Sequence, residues 1–90
     1  MKFVKTPGIE RVGCKDWKLT ISIVIRLFKD KEHFISFEPR AGRKTRITDG
    51  NENELAIVDK LLFPDDVKVW AIYGDDEENE YYTFLLPEEY

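Results

Sequence analysis

Residues that could carry nucleophilic catalysis are scarce in this chain. Cys14 is the only cysteine and His33 the only histidine, so they form the only pair that could act as a thiol nucleophile and its imidazole base. Such a pair also needs an orienting group and an oxyanion-binding loop, and the sequence around the two residues offers neither. The lone thiol supports neither a disulfide framework nor a thiolate zinc site. We therefore predict a protein that is not an enzyme and that uses no cofactor.

The densest charge in the chain is an acidic run. Its carboxylates are Asp75, Asp76, Glu77, Glu78 and Glu80. Carboxylate oxygens are calcium ligands, but calcium loops place them at alternate positions around a central glycine, and this run lacks that spacing. No metal site is therefore predicted. Acidic runs are commonly solvated turns, and the functional alternative is contact with a basic surface of a partner protein.

Two tyrosines follow the acidic run directly. Tyr81 and Tyr82 are adjacent, so the alternation of a β-strand directs one inward and leaves at most one for the surface. Tyrosines concentrate binding energy at protein interfaces because they combine a large apolar ring with a polar hydroxyl. We assign Tyr82, together with the five carboxylates, to the predicted partner-binding set.

A basic segment precedes the middle of the chain. Its four cations are Arg40, Arg43, Lys44 and Arg46. A cationic loop suits a phosphate backbone, so the alternative function is an RNA- or single-stranded-DNA-binding module. In that case Lys15, Lys18 and Arg26 extend the patch, and Phe28 or Phe34 stacks on unpaired bases. The acidic isoelectric point of 5.0 argues against nucleic acid, and the cations could instead be neutralised by acids of the same molecule.

Charge is divided unevenly between the two halves of the chain. Residues 1–46 hold 12 Lys or Arg against 5 Asp or Glu, whereas residues 47–90 hold 2 against 13. The net charge of −4 therefore hides a basic first half and an acidic second half. Such asymmetry is typical of proteins that meet a charged partner.

The apolar pattern of the first half predicts two strands. Apolar residues alternate with mainly polar ones from Trp17 to Leu27, which favours a long half-buried strand. After the polar residues 29–32, residues 33–38 read as a second strand, which completes a hairpin. Pro39 is expected to end the pairing because proline removes a ladder donor, leaving residues 40–46 as a flexible loop.

The second half predicts a helix and another hairpin. Capping residues at 48–51 and apolar residues at the spacing of one helical face favour a helix from Asn51 to Leu62, which ends at residues 63–66. Segments 67–73 and 81–86 read as strands joined by the acidic turn. The prediction is one α+β domain over residues 1–90, in ββαββ order, with one helix covering a mainly antiparallel sheet of two hairpins. A short additional strand is expected at 3–5.

These features predict a small interaction protein. Its acidic hairpin would dock on the basic surface of a protein partner, and competition with phosphates would inhibit a nucleic-acid-handling machine, a phage-type inhibitor of host defence being one concrete form. The N-terminus does not resemble a signal peptide, and no apolar run approaches the length of a membrane helix, so a cytoplasmic protein without membrane contact is expected. Homo-oligomerisation through the opposite charges is a further alternative.

Overall fold

A six-stranded mixed sheet and two α-helices make up the fold. The computed structural model describes residues 1–64 and 66–90. The elements in chain order are β1 (Lys2–Lys5), α1 (Pro7–Val12), α2 (Trp17–Lys29), β2 (Phe34–Arg40), β3 (Lys44–Thr48), β4 (Glu54–Val58), β5 (Val69–Asp75), β6 (Glu80–Leu85) and a short 3-10 helix (Pro87–Glu89). The strand order is β1-β6-β5-β2-β3-β4, and among these described strands only β1 and β6 pair in parallel. The α+β class is confirmed, but the ββαββ order is wrong.

The predicted strand over residues 17–27 is helix α2. Asp16 caps it, because its carboxylate accepts the Leu19 N–H at 3.0 Å. The buried residues Thr20, Val24 and Leu27 follow helical spacing, whereas Ile25, which alternation placed on the dry face, is 39% exposed. The segment is apolar enough to satisfy both periods. Packing against the sheet selects the helix over the strand preference of its β-branched residues.

The predicted helix over residues 51–62 is also wrong, because its start is a hairpin turn and residues 54–58 form strand β4. The Asp49 carboxylate accepts the backbone N–H groups of Asn51 at 2.8 Å and Asn53 at 3.3 Å. Gly50 and Glu52 have positive φ angles of 86° and 68°, which reverse the chain. Side chains that cap helices also close such turns, so the same residues are consistent with the start of a helix and with a hairpin turn.

The predicted flexible loop over residues 40–46 is a β-hairpin. Pro39 does not end the pairing, because it lies opposite Thr45 and the β2–β3 ladder continues to the pair Arg40 and Lys44. The β2–β5 ladder on the other side stops at Phe37. At Pro39, β2 therefore pairs only with β3, and the N–H group that proline lacks is not needed for a second ladder. The turn itself spans residues 41–43.

The other predicted strands are present. Segment 33–38 overlaps β2, which begins one residue later at Phe34, and segment 3–5 lies in β1. Segments 67–73 and 81–86 correspond to β5 and β6, which pair from Trp70 with Leu85 to Asp75 with Glu80 and carry the acidic turn between them. Asp65, which the sequence places in the acidic second half, lies outside the described residues.

The core lies between one face of the sheet and α2. Aromatic rings join the two layers: Trp17 of α2 lies 5.1 Å from Phe84 and 5.9 Å from Phe63, between ring centroids. Ile9 of α1 belongs to the same buried cluster. The opposite sheet face, here called the open face, carries no helix in the described part of the chain. The fold therefore has one sheet face covered by α2 and one open face, on which Ser36, Thr48 and Leu85 are nevertheless buried.

The C-terminal 3-10 helix is tied to the start of α1 by the Glu89 carboxylate. Oε1 accepts from the Thr6 hydroxyl at 2.7 Å and the Leu86 N–H at 2.8 Å, and Oε2 accepts from the Gly8 N–H at 2.9 Å. A Cβ atom on Gly8 would lie 2.6 Å from this carboxylate, so the close approach requires glycine. These donors, that of Thr6 foremost, lower the Glu89 pKa below its usual 4.5.

This clamp predicts acid sensitivity. Because the folded-state pKa of Glu89 lies below the unfolded-state value, its stabilisation is present above about pH 4.5 and is lost as pH falls through the folded pKa. Glu89→Gln should therefore lower the thermal midpoint at pH 7, and the gap to the wild type should close in acid. Thermal unfolding followed by circular dichroism between about pH 7 and 3 measures this. Glu88→Gln, an exposed neighbour, is the matched control, and an equal gap at every pH would contradict the prediction.

Candidate protein-docking site

The acidic tip, defined as residues 75–80, is a turn closed by hydrogen bonds within it. The Asp76 N–H donates to the Asn79 carbonyl at 3.0 Å. The Asp76 carboxylate in turn accepts the N–H of Glu78 at 3.0 Å and of Asn79 at 2.7 Å. These two backbone donors are the main reason that the Asp76 pKa is lowered from 3.8. Asp76 therefore stays ionised and serves the turn itself.

The other carboxylates of the tip are exposed. Asp75, Glu77 and Glu78 have no hydrogen bond or ion pair through their side chains within residues 1–64 and 66–90. Asp75 also lies directly across from Glu80 in the β5–β6 ladder, and like charges in that position are destabilising. The fold thus concentrates negative charge here at a cost to its own stability.

A polar and aromatic arrangement supports the base of the tip. Tyr73 donates its hydroxyl to Glu80 at 2.8 Å, and this hydrogen bond is the main reason that the pKa of Tyr73 is raised to about 12. Tyr73 therefore remains a donor across the physiological range. The exposed His33 ring stacks on Tyr73 at 4.3 Å between centroids. Glu80 is thus held in place by Tyr73, whose ring is in turn covered by the His33 imidazole.

The assignment of Tyr82 to the partner-binding surface is wrong. Tyr82 is fully buried, and its hydroxyl donates to the Glu32 carbonyl at 2.6 Å. Burial, followed by the nearby Glu32 charge, raises its pKa to about 12. Tyr81 occupies the open face instead: a Cβ atom on Gly74 would lie 2.7 Å from its ring. Strand alternation allows only one of the two on the surface, and the packing of α2 decides which.

The basic hairpin, residues 40–46, is largely neutralised by its own molecule. Arg46 lies 3.3 Å from Glu38 and 3.1 Å from Glu54. Arg40 lies 3.3 Å from Glu54, and Lys44 is 3.9 Å from Asp59. Of the four predicted nucleic-acid contacts, only Arg43 has no ion-pair partner among the described residues. The acids that pair with Arg40 and Arg46 are those of β2 and β4, not those of the acidic tip.

Strand register places the two charged hairpins at opposite ends of the sheet. Phe34, at the start of β2, lies across from Ile72, so β5 runs on from there towards the acidic tip. The basic turn follows the other end of β2, after Arg40. Lys18 and Arg26 belong to α2, on the covered side of the sheet, whereas Arg46 pairs with Glu38 on the open face. The predicted extended basic patch is therefore divided between two faces.

Cys14 and His33 do not form a reactive pair. They flank α2 at its two ends, and a helix of 13 residues is roughly 20 Å long. The Cys14 sulfur lies 3.4 Å from the Thr20 hydroxyl. Within residues 1–64 and 66–90, no group of three or more His, Cys, Asp or Glu side chains could hold a metal ion.

No helix in the described residues has the length and apolar character needed to cross a membrane. Comparison of the chain with protein-family models, curated proteins and solved structures gave no match.

Proposed function

We propose that this protein is a non-enzymatic interaction protein that docks its acidic tip on a basic surface of a protein partner. The observation that carries the proposal is the contrast between the two charged hairpins. Three tip carboxylates have no partner among the described residues, whereas three of the four cations of the basic hairpin are paired internally. Of the two charged hairpins, the acidic tip is therefore the one whose charge is more available to another molecule.

The geometry of the tip supports docking over simple solvation. Asp76 accepts hydrogen bonds within the turn and Glu80 accepts one from Tyr73, and this leaves Asp75, Glu77 and Glu78 exposed on a hydrogen-bonded turn. A fixed array loses less conformational entropy on binding than a mobile one. Carboxylates arranged in this way are complementary to the cationic channels that bind nucleic acid, so such a partner would be inhibited by competition with phosphates.

The proposal is tested by neutralising the free carboxylates alone. The triple variant Asp75→Asn, Glu77→Gln, Glu78→Gln keeps Asp76 and Glu80, so the turn should remain folded. Proteins captured by the wild type at about 50 and 300 mM salt are identified. The affinities of the wild type and of the triple variant for the purified partner are then measured. We expect the triple variant to lose at least about tenfold in affinity.

The matched control is the variant Glu10→Gln, Glu52→Gln, Glu88→Gln. It removes the same charge from three exposed positions away from the tip and should bind as the wild type does. Equal losses in the two variants would show that net charge alone drives capture, and the docking proposal would then be wrong.

A second candidate is single-stranded nucleic-acid binding on the open face. Phe34 and Trp70 lie 5.0 Å apart there, and Trp70 lies 5.8 Å from Tyr90, which is 83% exposed. Such aromatic groups are stacking platforms for unpaired bases. The predicted stacking residue Phe28 is excluded from this surface because it packs on Tyr73 and Tyr82 on the helix side.

Titration with oligothymidylate and oligouridylate at about 50 and 200 mM salt distinguishes the two candidates. Salt-sensitive binding that is abolished by Arg43→Glu with Lys44→Glu, yet is unaffected by the tip variant, would favour nucleic acid. Absence of binding at both salt concentrations would remove this candidate.

A further inference from the structure

Helix α2 covers only part of its side of the sheet. It packs over β5 and β6, because Phe28 stacks on Tyr73 of β5 and Trp17 contacts Phe84 of β6. Strands lie about 4.8 Å apart and packed helices about 8–10 Å apart, so one helix covers about two strands. Strand β2 separates β5 from β3 and β4. The helix layer therefore has room for a second helix above β3 and β4.

An apolar groove lies in this space. It has a volume of about 380 Å³ and separates the second half of α2 from the start of β4; its apolar lining is Ile23, Leu27, Leu55 and Ala56. Neighbouring strand residues normally face opposite sides of a sheet, yet Leu55 and Ala56 both line the groove. The cause is a β-bulge, because Ala56 pairs with Ile47 and Glu54 with Thr48, which leaves Leu55 as the extra residue.

The β-bulge favours a helix over a strand as the element that fits here. Bulges twist an edge strand and interrupt the regular ladder that an added strand would need. The groove also lies above the sheet, at the level of α2, and not in the plane of the strands. A helix that lies in such a groove fills it with apolar side chains from one of its faces.

The charge of α2 selects an acidic helix. The exposed residues of α2 are Lys18, Ser22, Ile25, Arg26 and Lys29, and the helix contains no Asp or Glu. None of the three cations forms an ion pair with a described residue. The helix dipole favours Arg26 and Lys29, which lie in the last turn, but it disfavours Lys18 in the first turn. This cationic surface is therefore complementary to carboxylates of another molecule.

We propose that the groove binds an amphipathic helix of a protein partner, with apolar side chains between α2 and β4 and acidic side chains beside Ser22 and Arg26 on the rim. Asp30 lines the C-terminal end of the groove, so the partner's carboxylates lie towards the middle of α2. The apolar lining favours a protein over nucleic acid, because phosphates would leave it unfilled. The groove shares no lining residue with the acidic tip, so the two proposals are independent.

A synthetic peptide tests the proposal. It has about 18 residues, enough for a helix to form, with leucines along one helical face and glutamates beside them. The control peptide has glutamine in place of each glutamate. Fluorescence anisotropy at about 150 mM salt measures binding of each labelled peptide to the full chain. We expect a micromolar dissociation constant for the glutamate peptide and at least about tenfold weaker binding of the glutamine peptide.

Variants of the chain locate the binding. Arg26→Glu and Ser22→Phe, which changes an exposed position on the groove rim, should each weaken binding of the glutamate peptide at least about tenfold. Arg43→Glu is the matched control, because it reverses an exposed cation in the distant basic turn, and it should bind as the wild type does. The triple variant of the acidic tip should also bind normally, which separates this proposal from the proposed function.

Three results would overturn the proposal. The first is no binding of the glutamate peptide up to about 500 µM, and the second is an equal loss of affinity in Arg26→Glu and Arg43→Glu. The third comes from nitrogen-15 NMR of the complex: peptide-induced shifts at residues 40–46, and not at 22–27 and 55–56, would place the peptide on the basic hairpin. Oligothymidylate binding that Arg26→Glu abolishes, without peptide binding, would assign the α2 cations to nucleic acid. Far-ultraviolet circular dichroism checks folding, and Arg26→Glu retains the test if Ser22→Phe does not fold.

Discussion

Phe84→Ala is expected to lower the free energy of unfolding by about 3–5 kcal/mol, the range for truncating a large buried aromatic residue. Phe84 is fully buried at the junction of three elements. Its ring centroid lies 5.1 Å from Trp17, 6.2 Å from Phe3 and 6.4 Å from Phe37. Its removal leaves a cavity between α2 and the sheet that these rings cannot all collapse into.

Urea unfolding monitored by tryptophan fluorescence measures this effect. A loss of 3–5 kcal/mol is a large part of the roughly 5–15 kcal/mol that stabilises a typical domain, so the variant should show a much lower midpoint. Thr83→Ala is the control, because Thr83 is the adjacent half-buried residue on the open face, and it should cost less than about 1 kcal/mol. If Phe84→Ala and Thr83→Ala lowered the free energy of unfolding by similar amounts, Phe84 would not be the residue of this pair that faces the core.

Tyr82→Ala is expected to destabilise the protein by about 3–5 kcal/mol, whereas Tyr81→Ala should cost far less. Tyr82 is fully buried, and its ring lies 6.4 Å from Phe28 of α2 and 5.7 Å from Tyr73. Tyr81 is half-buried on the open face, where its loss opens no internal cavity. The same urea titration, carried out on both variants, compares the two costs directly.

Tyr82→Phe separates the ring from the hydroxyl. It removes only the hydrogen bond to the Glu32 carbonyl and should cost about 1 kcal/mol, because that carbonyl loses a buried donor. A larger cost for Tyr81→Ala than for Tyr82→Ala would place Tyr82 on the surface and restore it as a binding residue.

The confirmed elements are those whose signals are local. Strands β5 and β6 are rich in β-branched and aromatic residues on both sides of a polar turn, and a hairpin of this kind is closed by contacts between residues near in sequence. The acidic tip is part of the same local unit. Its position at the end of a hairpin could therefore be predicted without knowledge of the rest of the fold.

The errors arose where two structures share one local pattern. Residues 17–27 satisfy both the strand and the helical period, and Asp16 is a capping signal that alternation obscured. Asp49 and its neighbours could have begun a helix, yet they close a turn. In each case the competing structures differ little in local free energy, so long-range packing decides between them.

In the candidate site, too, some features follow from local sequence and others from long-range contacts. Sequence alone determined the charge of each hairpin and the limit of one surface tyrosine at the tip. Only the tertiary structure decided which charges remain available, because Glu38 and Glu54 reach Arg46 through the pairing of β2, β3 and β4. It also separated the basic hairpin from the acidic tip, since the register of β2 against β5 directs them to opposite ends of the sheet. Ion pairing and register depend on contacts between distant residues, and a linear pattern of charges does not contain that information.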